Sequence, residues 1–345
     1  MDLFSEMKAG GHEQILFCSD AKLGLLAIIA IHSTRFGPAL GGCRMWPYPS
    51  PDAALSDVLR LSKAMTYKAA ISDLPLGGGK SVIMGDPKKD KTPERMIAFA
   101  KNVDALGGRY IVAEDVGIDI SDIELFRTVT PHVAGFAEEA GGTGDPSPQT
   151  ALGVFCGMAA CLEEVAGNDT FDGCRVAIQG FGKVGYALAK LLYEAGAKIT
   201  LSDMDPERVA IGCREFDCDI VHPHEIHKVE CDIFAPCAMG GILNDRTIPA
   251  LSCKIVAGAA NNQLDREELA IKLQERGILY APDYVINAGG LIHVSTKDNG
   301  ERRLRVDTKI RAIGGRLKTI FEMAKSDKIS TSDAADHLAE KKLYG

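Results

Sequence analysis

Two lysines and an aspartate are the residues of this chain whose types and settings most invite chemistry. Lys80 follows three consecutive glycines in Pro75-Leu76-Gly77-Gly78-Gly79-Lys80-Ser81-Val82-Ile83. Such a run gives up backbone entropy and is tolerated where the main chain needs positive φ or passes very close to something else. Two readings stand: a tight turn before a strand with Lys80 in solvent, or a reactive lysine held by the run. Lys68 lies one helical turn beyond Met65, on the face formed by Leu55, Val58, Leu59, Ser62 and Met65. A cation on a face that should be buried either snorkels from the helix end or serves a site. Asp115, in Ala113-Glu114-Asp115-Val116-Gly117, ends an apolar run where α/β sheets often carry function. Its alternative is a loop cap.

A second set lies farther along. The apolar run Cys174-Arg175-Val176-Ala177-Ile178-Gln179 leads into Gly180-Phe181-Gly182-Lys183-Val184-Gly185 and a helix over 186–196. A GxGxxG pattern alone is weak evidence, but between strand and helix it is the dinucleotide fingerprint. The glycines permit a tight turn, a close approach of backbone to pyrophosphate and packing of helix on strand, while the helix N-terminus favours phosphate charge. The next strand, 198–202, ends in Asp203, where an acidic side chain binds the adenosine ribose and disfavours a 2′-phosphate, so the expected cofactor is NAD. Small and amide residues follow later strands in Ala238-Met239-Gly240-Gly241, Ala259-Ala260-Asn261-Asn262 and Asn287-Ala288-Gly289-Gly290. Those positions are strand carboxyl ends, where such a sheet holds its ligand, and the amides of Asn261 and Asn262 are expected to bond the nicotinamide end or the substrate. Cys237 reads as a packed small hydrophobe or, with Ala238, as part of the cofactor site.

Positioning these residues takes two α/β domains, and 345 residues are long for one core. Early strands are expected over 14–18 and 26–32, a helix from Ser50-Pro51 carrying Lys68, a helix over 93–106, and a strand over 110–113. Asp122 and Glu124 read as the first turn of a helix. Gly141-Gly142-Thr143-Gly144-Asp145-Pro146-Ser147-Pro148 marks the boundary or hinge. After it come a helix from Ser147 and short strands ending near 179, 202, 236, 258 and 280, a doubly wound Rossmann-type sheet. Helices over 311–324 and 332–342 close the chain. The domains are thus 1–140 for substrate and catalysis, 141–324 for NAD, and 325–345 returning to the first.

Apolar residues at 46%, charged residues at 25% and a net charge of −8 without a basic block argue for a globular protein that binds small molecules, not nucleic acid or an anionic membrane. The longest apolar run, 23–31, cannot span a bilayer and the first residues lack a signal-peptide pattern, so a cytoplasmic protein is expected. The ten cysteines form no C-x-x-C pair and read as free thiols. His222, His224 and His227 lack supporting ligands, so no metal site is expected.

The motifs together resemble the glutamate, leucine, phenylalanine and valine dehydrogenases, and within them the leucine and related branched-chain enzymes. The resemblance spans nearly the whole chain and adds Gly37-Pro38-Ala39-Leu40-Gly41-Gly42, Met65-Thr66-Tyr67-Lys68 and Tyr280-Ala281-Pro282-Asp283-Tyr284 to the segments above. It implies that Lys68 binds the substrate carboxylate, Lys80 is the catalytic lysine, Asp115 is the acid and base at nitrogen, and Thr150 contacts the nicotinamide amide. Two lysines converging on one enclosed site would lower each other's proton affinity, so that one activates water while the other stays a cation. Leu40 stands where glutamate enzymes carry a lysine, which argues against a substrate carboxylate side chain. Leu40, Gly41, Met65, Ala113, Ala134, Asn261, Leu291 and Val294 would hold the substrate. Gly79, Ala134 and Leu291 depart from the usual leucine enzyme, and Gly79 reads as clearance beside the bound amino acid. The expected reaction is reversible oxidative deamination of leucine, valine or isoleucine to the 2-oxo acid and ammonia by a homo-oligomer. The alternatives are an aromatic amino acid dehydrogenase for phenylalanine or tryptophan and a non-catalytic NAD-binding regulator.

Overall fold

The computed structural model describes residues 3–238, 240–296 and 302–345. The chain divides into one unit running up to Asp145 and regaining Lys342–Gly345, and a second over Pro146–Lys341.

The first unit is built on a five-stranded sheet in the order β1-β2-β4-β3-β5: β1 Gln14–Asp20, β2 Leu25–Ser33, β3 Ala39–Trp46, β4 Gly77–Met84 and β5 Tyr110–Ala113. β2 runs antiparallel to both β1 and β4, whereas β3 runs parallel to β4 and β5. A short helix, α1 (Leu3–Gly10), precedes it. α2 (Pro51–Ile71) starts at Ser50, whose side chain accepts from Ala53 N at 3.1 Å, with Pro51 pre-setting the first turn. Its buried Ala54, Leu55, Val58 and Leu59 pack on Ile28, Ala30 and Val82 of the sheet. The other sheet face is covered by α3 (Pro93–Asp104) and α4 (Ile120–Arg127) through Met96, Phe99, Ile123 and Phe126. Each such aliphatic or aromatic side chain contributes about 1.5–3 kcal/mol on burial. β3 is absent from the sequence expectation because two glycines interrupt its apolar run.

The glycine run is a strand, not a turn. Gly77–Gly79 lie inside β4, and none has positive φ. Their use is close approach: a Cβ on Gly78 would stand 2.0 Å from Thr66 N, so α2 rests directly on the strand there. Nor does Gly79 make room for an amino acid, because its space is filled by the Tyr110 ring, 2.8 Å from where a Cβ would be.

The second unit is a parallel six-stranded sheet in the order β11-β10-β9-β6-β7-β8: β6 Arg175–Gln179, β7 Lys198–Ser202, β8 Asp219–Ile220, β9 Ile233–Pro236, β10 Ile255–Val256 and β11 Leu279–Tyr280. Its helices are α5 (Ser147–Ala166), α6 (Lys183–Glu194), α7 (Pro206–Phe216), α8 (Leu269–Glu275), α9 (Asp283–Ile286), α10 (Gly289–Ser295), α11 (Arg302–Asp327) and α12 (Thr331–Tyr344). The strand order reverses between β6 and β9, the switch point where open α/β sheets bind ligands. Ile313, Leu317 and Ile320 of α11 are fully buried. Of the 325–345 tail, only Lys342–Gly345 groups with the first unit. The rest stays with the second because Thr331 Oγ1 donates to Tyr280 O at 2.7 Å, Tyr284 OH donates to Asp336 at 2.6 Å, and Ala334, Ala335 and Ala339 are buried. Met239 lies outside the described residues. Among those described, no helix is long and apolar enough to cross a membrane.

Candidate active site

Lys80 sits in mid-β4 opposite Ala30, 6% exposed. Its Nζ donates to Asp115 Oδ2. Asp115 leaves β5 in a turn that closes through Ile118 N to Asp115 O at 2.9 Å, and its Oδ1 accepts from Val116 N at 2.8 Å. The carboxylate is therefore both loop cap and ion-pair partner, one oxygen for each. Burial pushes its pKa up, yet Lys80 and then Arg44 outweigh burial and hold it down to about 2. The like-charge crowding expected around Lys80 is answered here by a counter-ion: its salt bridge is to Asp115.

Arg44, on β3, went unnoticed in the sequence. Its Nε lies 3.5 Å from Asp115 Oδ2, and its Nη1 donates to Asp57 Oδ2 of α2 at 3.0 Å. Tyr48 OH donates to that same Asp57 oxygen at 2.6 Å. An arginine inside an otherwise apolar and glycine-rich strand was the signal available, and only the fold brings Asp57 and Asp115 to it.

Lys68 is half-buried in the last turn of α2, two residues beyond Thr66, whose backbone touches Gly78 of β4. Thr66 is fixed in turn by His32, whose Nδ1 lies 2.8 Å from Thr66 Oγ1, while its Nε2 contacts Gly10 O at 2.9 Å. A carbonyl can only accept, so Nε2 donates and Nδ1 accepts. Met65 is half-buried one turn before Lys68. Leu40, Gly41 and Ala113 lie on the paired strands β3 and β5, and Ala134 joins them through its N–H to Val112 O at 2.8 Å. Tyr110 OH donates to Gly41 O at 2.7 Å. Leu291, buried, and Val294, half-buried, belong to α10 of the second unit.

In that unit Gly180 has φ +94°, and a Cβ there would stand 2.7 Å from the Ala238 Cβ. A Cβ on Gly185 would meet Gly180 O at 2.1 Å. Gly182 caps α6 without a side-chain bond, so the first-turn N–H groups of Lys183, Val184 and Gly185 face a position that suits an anion. Asp203 Oδ2 accepts from Phe181 N at 2.5 Å and its Oδ1 from Asp205 N at 2.8 Å, which fixes the carboxylate at the end of β7 beside the loop. The Phe181 ring is buried against Tyr186 and Phe216. Gln179 Oε1 and Ser202 Oγ, at the ends of paired strands β6 and β7, are buried and have no hydrogen-bond partner among the described residues. A glycine cradle, an open helix N-terminus, an oriented carboxylate and these two polar atoms fit a dinucleotide.

Cys237 donates its N–H to Gln179 O at 2.7 Å, and burial pushes its thiol up to about 11, the behaviour of a packed hydrophobe. Thr150 Oγ1 donates to Pro146 O at 3.0 Å, which leaves its lone pairs to accept. Asn261 Oδ1 accepts from Asn287 Nδ2 at 2.8 Å, and Asn287 Nδ2 also donates to Ala259 O at 3.1 Å, so Asn261 keeps its own amide N–H groups for a ligand. Among the described residues no group of three or more His, Cys, Asp or Glu is placed to hold a metal ion.

Residues 12–132 match the family described as "Glu/Leu/Phe/Val dehydrogenase, dimerisation domain", and residues 141–206 and 208–342 match "Glutamate/Leucine/Phenylalanine/Valine dehydrogenase". A leucine dehydrogenase of Geobacillus stearothermophilus is 49% identical over 343 residues, 99% of this chain and 94% of that protein. A phenylalanine dehydrogenase of Thermoactinomyces intermedius is 46% identical over 344 residues, again 99% and 94%. The crystal structure of L-tryptophan dehydrogenase from Nostoc punctiforme superposes with a TM-score of 0.83 at 43% identity, covering 99% of this chain and 98% of that one. With both halves matched and relatives this similar along nearly their full length, the chain belongs to the Glu/Leu/Phe/Val dehydrogenases and is an amino acid dehydrogenase, an oxidoreductase acting on CH–NH2.

Proposed function

We propose that this enzyme oxidatively deaminates an apolar branched-chain L-amino acid, leucine, valine or isoleucine, to its 2-oxo acid and ammonia with NAD, reversibly. The observation that carries the reading is the pair of buried Lys80 and half-buried Asp115 on the unit that also bears Lys68 and a floor of Leu40, Gly41, Ala113 and Ala134. That floor has no cation for a side-chain carboxylate.

In this reading the Lys68 ammonium holds the substrate carboxylate. Asp115, kept ionised by its two cations, takes a proton from the substrate ammonium. NAD, which Gly180–Gly185, Asp203, Thr150, Asn261 and the Cys237–Ala238 backbone would hold, supplies the acceptor for the hydride that leaves Cα. Lys80 then withdraws a proton from the water that adds to the iminium carbon; Asp115 returns its proton to nitrogen, and as the C–N bond breaks the hydroxyl proton passes to the departing ammonia, which leaves as ammonium. The balance is amino acid, NAD and water to 2-oxo acid, ammonium and NADH, with the one proton taken by Lys80 released. Asp203, aimed at the fingerprint loop, favours a free ribose hydroxyl over a 2′-phosphate. We place self-association on residues 12–132, in keeping with that family description and with exposed Phe17 and Leu26 at the edge of the sheet.

The aromatic reading, a phenylalanine or tryptophan dehydrogenase, is favoured by relatives of both kinds at nearly the same identity as the leucine enzymes. NADH formation with L-leucine, L-valine, L-isoleucine, L-phenylalanine, L-tryptophan and L-glutamate at alkaline pH separates the readings. The largest kcat/KM is expected with a branched-chain substrate; none with any apolar amino acid would sink the proposal. Lys80→Ala should abolish turnover while NADH still binds, and substantial residual kcat would remove Lys80 from its role.

A further inference from the structure

The carboxylate of Asp115 faces two cations, and only Lys80 has a proton to move in the reaction given above. Lys80 donates to Oδ2 from β4, and Arg44 Nε stands 3.5 Å from the same oxygen from β3. Arg44 Nε is buried and makes no hydrogen bond among the described residues, so Asp115 is the only acceptor it addresses. The rest of the guanidinium is anchored: Nη1 donates to Asp57, which is itself held by Tyr48 OH and approached by Arg60 Nη2 at 3.4 Å. Other titratable groups acting on Asp115 are the Cys43 thiol of β3, the Tyr110 phenol of β5 and the Tyr48 phenol. Burial pushes all three up, Cys43 to about 12, so they stay neutral and leave the Asp115 anion to Lys80 and Arg44.

We propose that Arg44 is the positioning residue of the Lys80–Asp115 pair: braced on Asp57, it keeps the Asp115 carboxylate in place and charged when Lys80 releases Oδ2 to serve the substrate. Lys80 cannot act on water while its ammonium is committed to a lone carboxylate. A second cation on that oxygen weakens the commitment and prevents Asp115 from capturing a proton at the wrong step. The inference rests on the roles given above to Lys80 and Asp115. It adds Arg44 as the reason that the pair can open.

The test is Arg44→Gln, with Arg44→Lys and Arg44→Met beside it. In Arg44→Gln the ascending limb of kcat/KM against pH is expected to move up by about one pH unit, since one charge at this range is worth that much. KM for the amino acid should stay within about threefold while kcat falls about tenfold or more, a split that a general loss of packing would not produce. Arg44→Lys should return the limb toward its wild-type position without restoring the full rate, because an ammonium supplies charge but not the fork that spans Asp57 and Asp115. A folded Arg44→Gln protein with an unmoved limb overturns the proposal. Should Arg44→Gln fail to fold, Arg44→Met, which removes the charge and keeps an apolar stem, must shift the limb in the same direction; an unmoved limb there overturns it equally. A wild-type enzyme silent on every amino acid would instead refute the proposed function. The Arg44 assignment is then read without turnover, from the infrared carboxylic-acid band that Asp115→Asn lacks. That band must appear at higher pH in Arg44→Gln than in wild type, and identical titrations refute the assignment.

Discussion

Gly78→Ala is the sharpest perturbation available to the substrate side of the site. A Cβ at residue 78 would lie 2.0 Å from Thr66 N, 2.4 Å from Thr66 Oγ1 and 2.5 Å from Thr66 Cα. Real Cβ atoms do not come closer than 3.0 Å, so α2 must withdraw by 3.0 − 2.0 = 1.0 Å at least at this point. The obstacle is helix backbone, which no rotamer change relieves. Forcing such a contact into a packed core costs about 1–3 kcal/mol, or roughly 1–4 °C in Tm for a chain of this size. Lys68 is two residues farther along the displaced turn and moves with it, and a misplacement of about 1 Å at a substrate-positioning group costs on the order of 100-fold in rate. We therefore expect kcat/KM for the preferred amino acid to fall about 100-fold with NADH affinity unchanged, measured by NADH absorbance and by fluorescence titration. Gly79→Ala is the control. Its Cβ meets the Tyr110 ring at Cδ2, 2.8 Å, and Cε2, 3.0 Å, and the backbone only at Ala30 O, 3.1 Å, so a tilt of the ring edge and a shift of a few tenths of an ångström relieve it where the helix backbone at Gly78 must withdraw by about 1 Å. Its kcat/KM should stay within about threefold of wild type. A Gly78→Ala enzyme with near-native kcat/KM, or a Gly79→Ala enzyme damaged to the same degree, would refute the claim that these glycines set the distance between α2 and β4.

Asp203→Ala removes the ribose acceptor and strands the Phe181 N–H, so Kd for NADH should rise about 10- to 100-fold and discrimination against NADPH should shrink, both read by fluorescence titration. An unchanged preference for NADH would dissociate Asp203 from cofactor choice. Burial, reinforced by His12, lowers the pKa of His32 to about 4. The unfolded imidazole titrates near 6.5, so the unfolded chain binds the extra proton first and stability falls as pH drops from about 6.5 to 4, by about 3 kcal/mol in all. His32→Gln should flatten the fall of Tm over that window; an equally steep fall would clear His32.

The dinucleotide unit was readable because its devices are local. A strand, a GxGxxG turn, a helix and an acidic residue at the next strand end are contiguous over Cys174 to Asp203, and neighbouring residues suffice to specify such a turn. The capped start of α2 at Ser50-Pro51 was legible for the same reason. β3 was not, since Gly41 and Gly42 erase the apolar alternation on which strand reading depends. For the glycines of β4 both positive φ and close approach were open; close approach is the one the structure has, though to Thr66 and Tyr110 rather than to a substrate. A glycine required for positive φ and one required for clearance look alike in sequence, and only the neighbouring atoms tell them apart.

The amino-acid sequence by itself determined that this chain has a catalytic-looking lysine after a glycine run, a dinucleotide fingerprint, and the membership in an amino acid dehydrogenase family that these motifs imply. Tertiary structure alone decided what faces what. Lys80 meets Asp115 across 35 positions of sequence, and Arg44 reaches both Asp57 and Asp115 because β3 lies between β4 and β5. Motifs report contacts made along the chain, whereas the charge state of a buried carboxylate depends on cations delivered by strands that are neighbours only in the sheet.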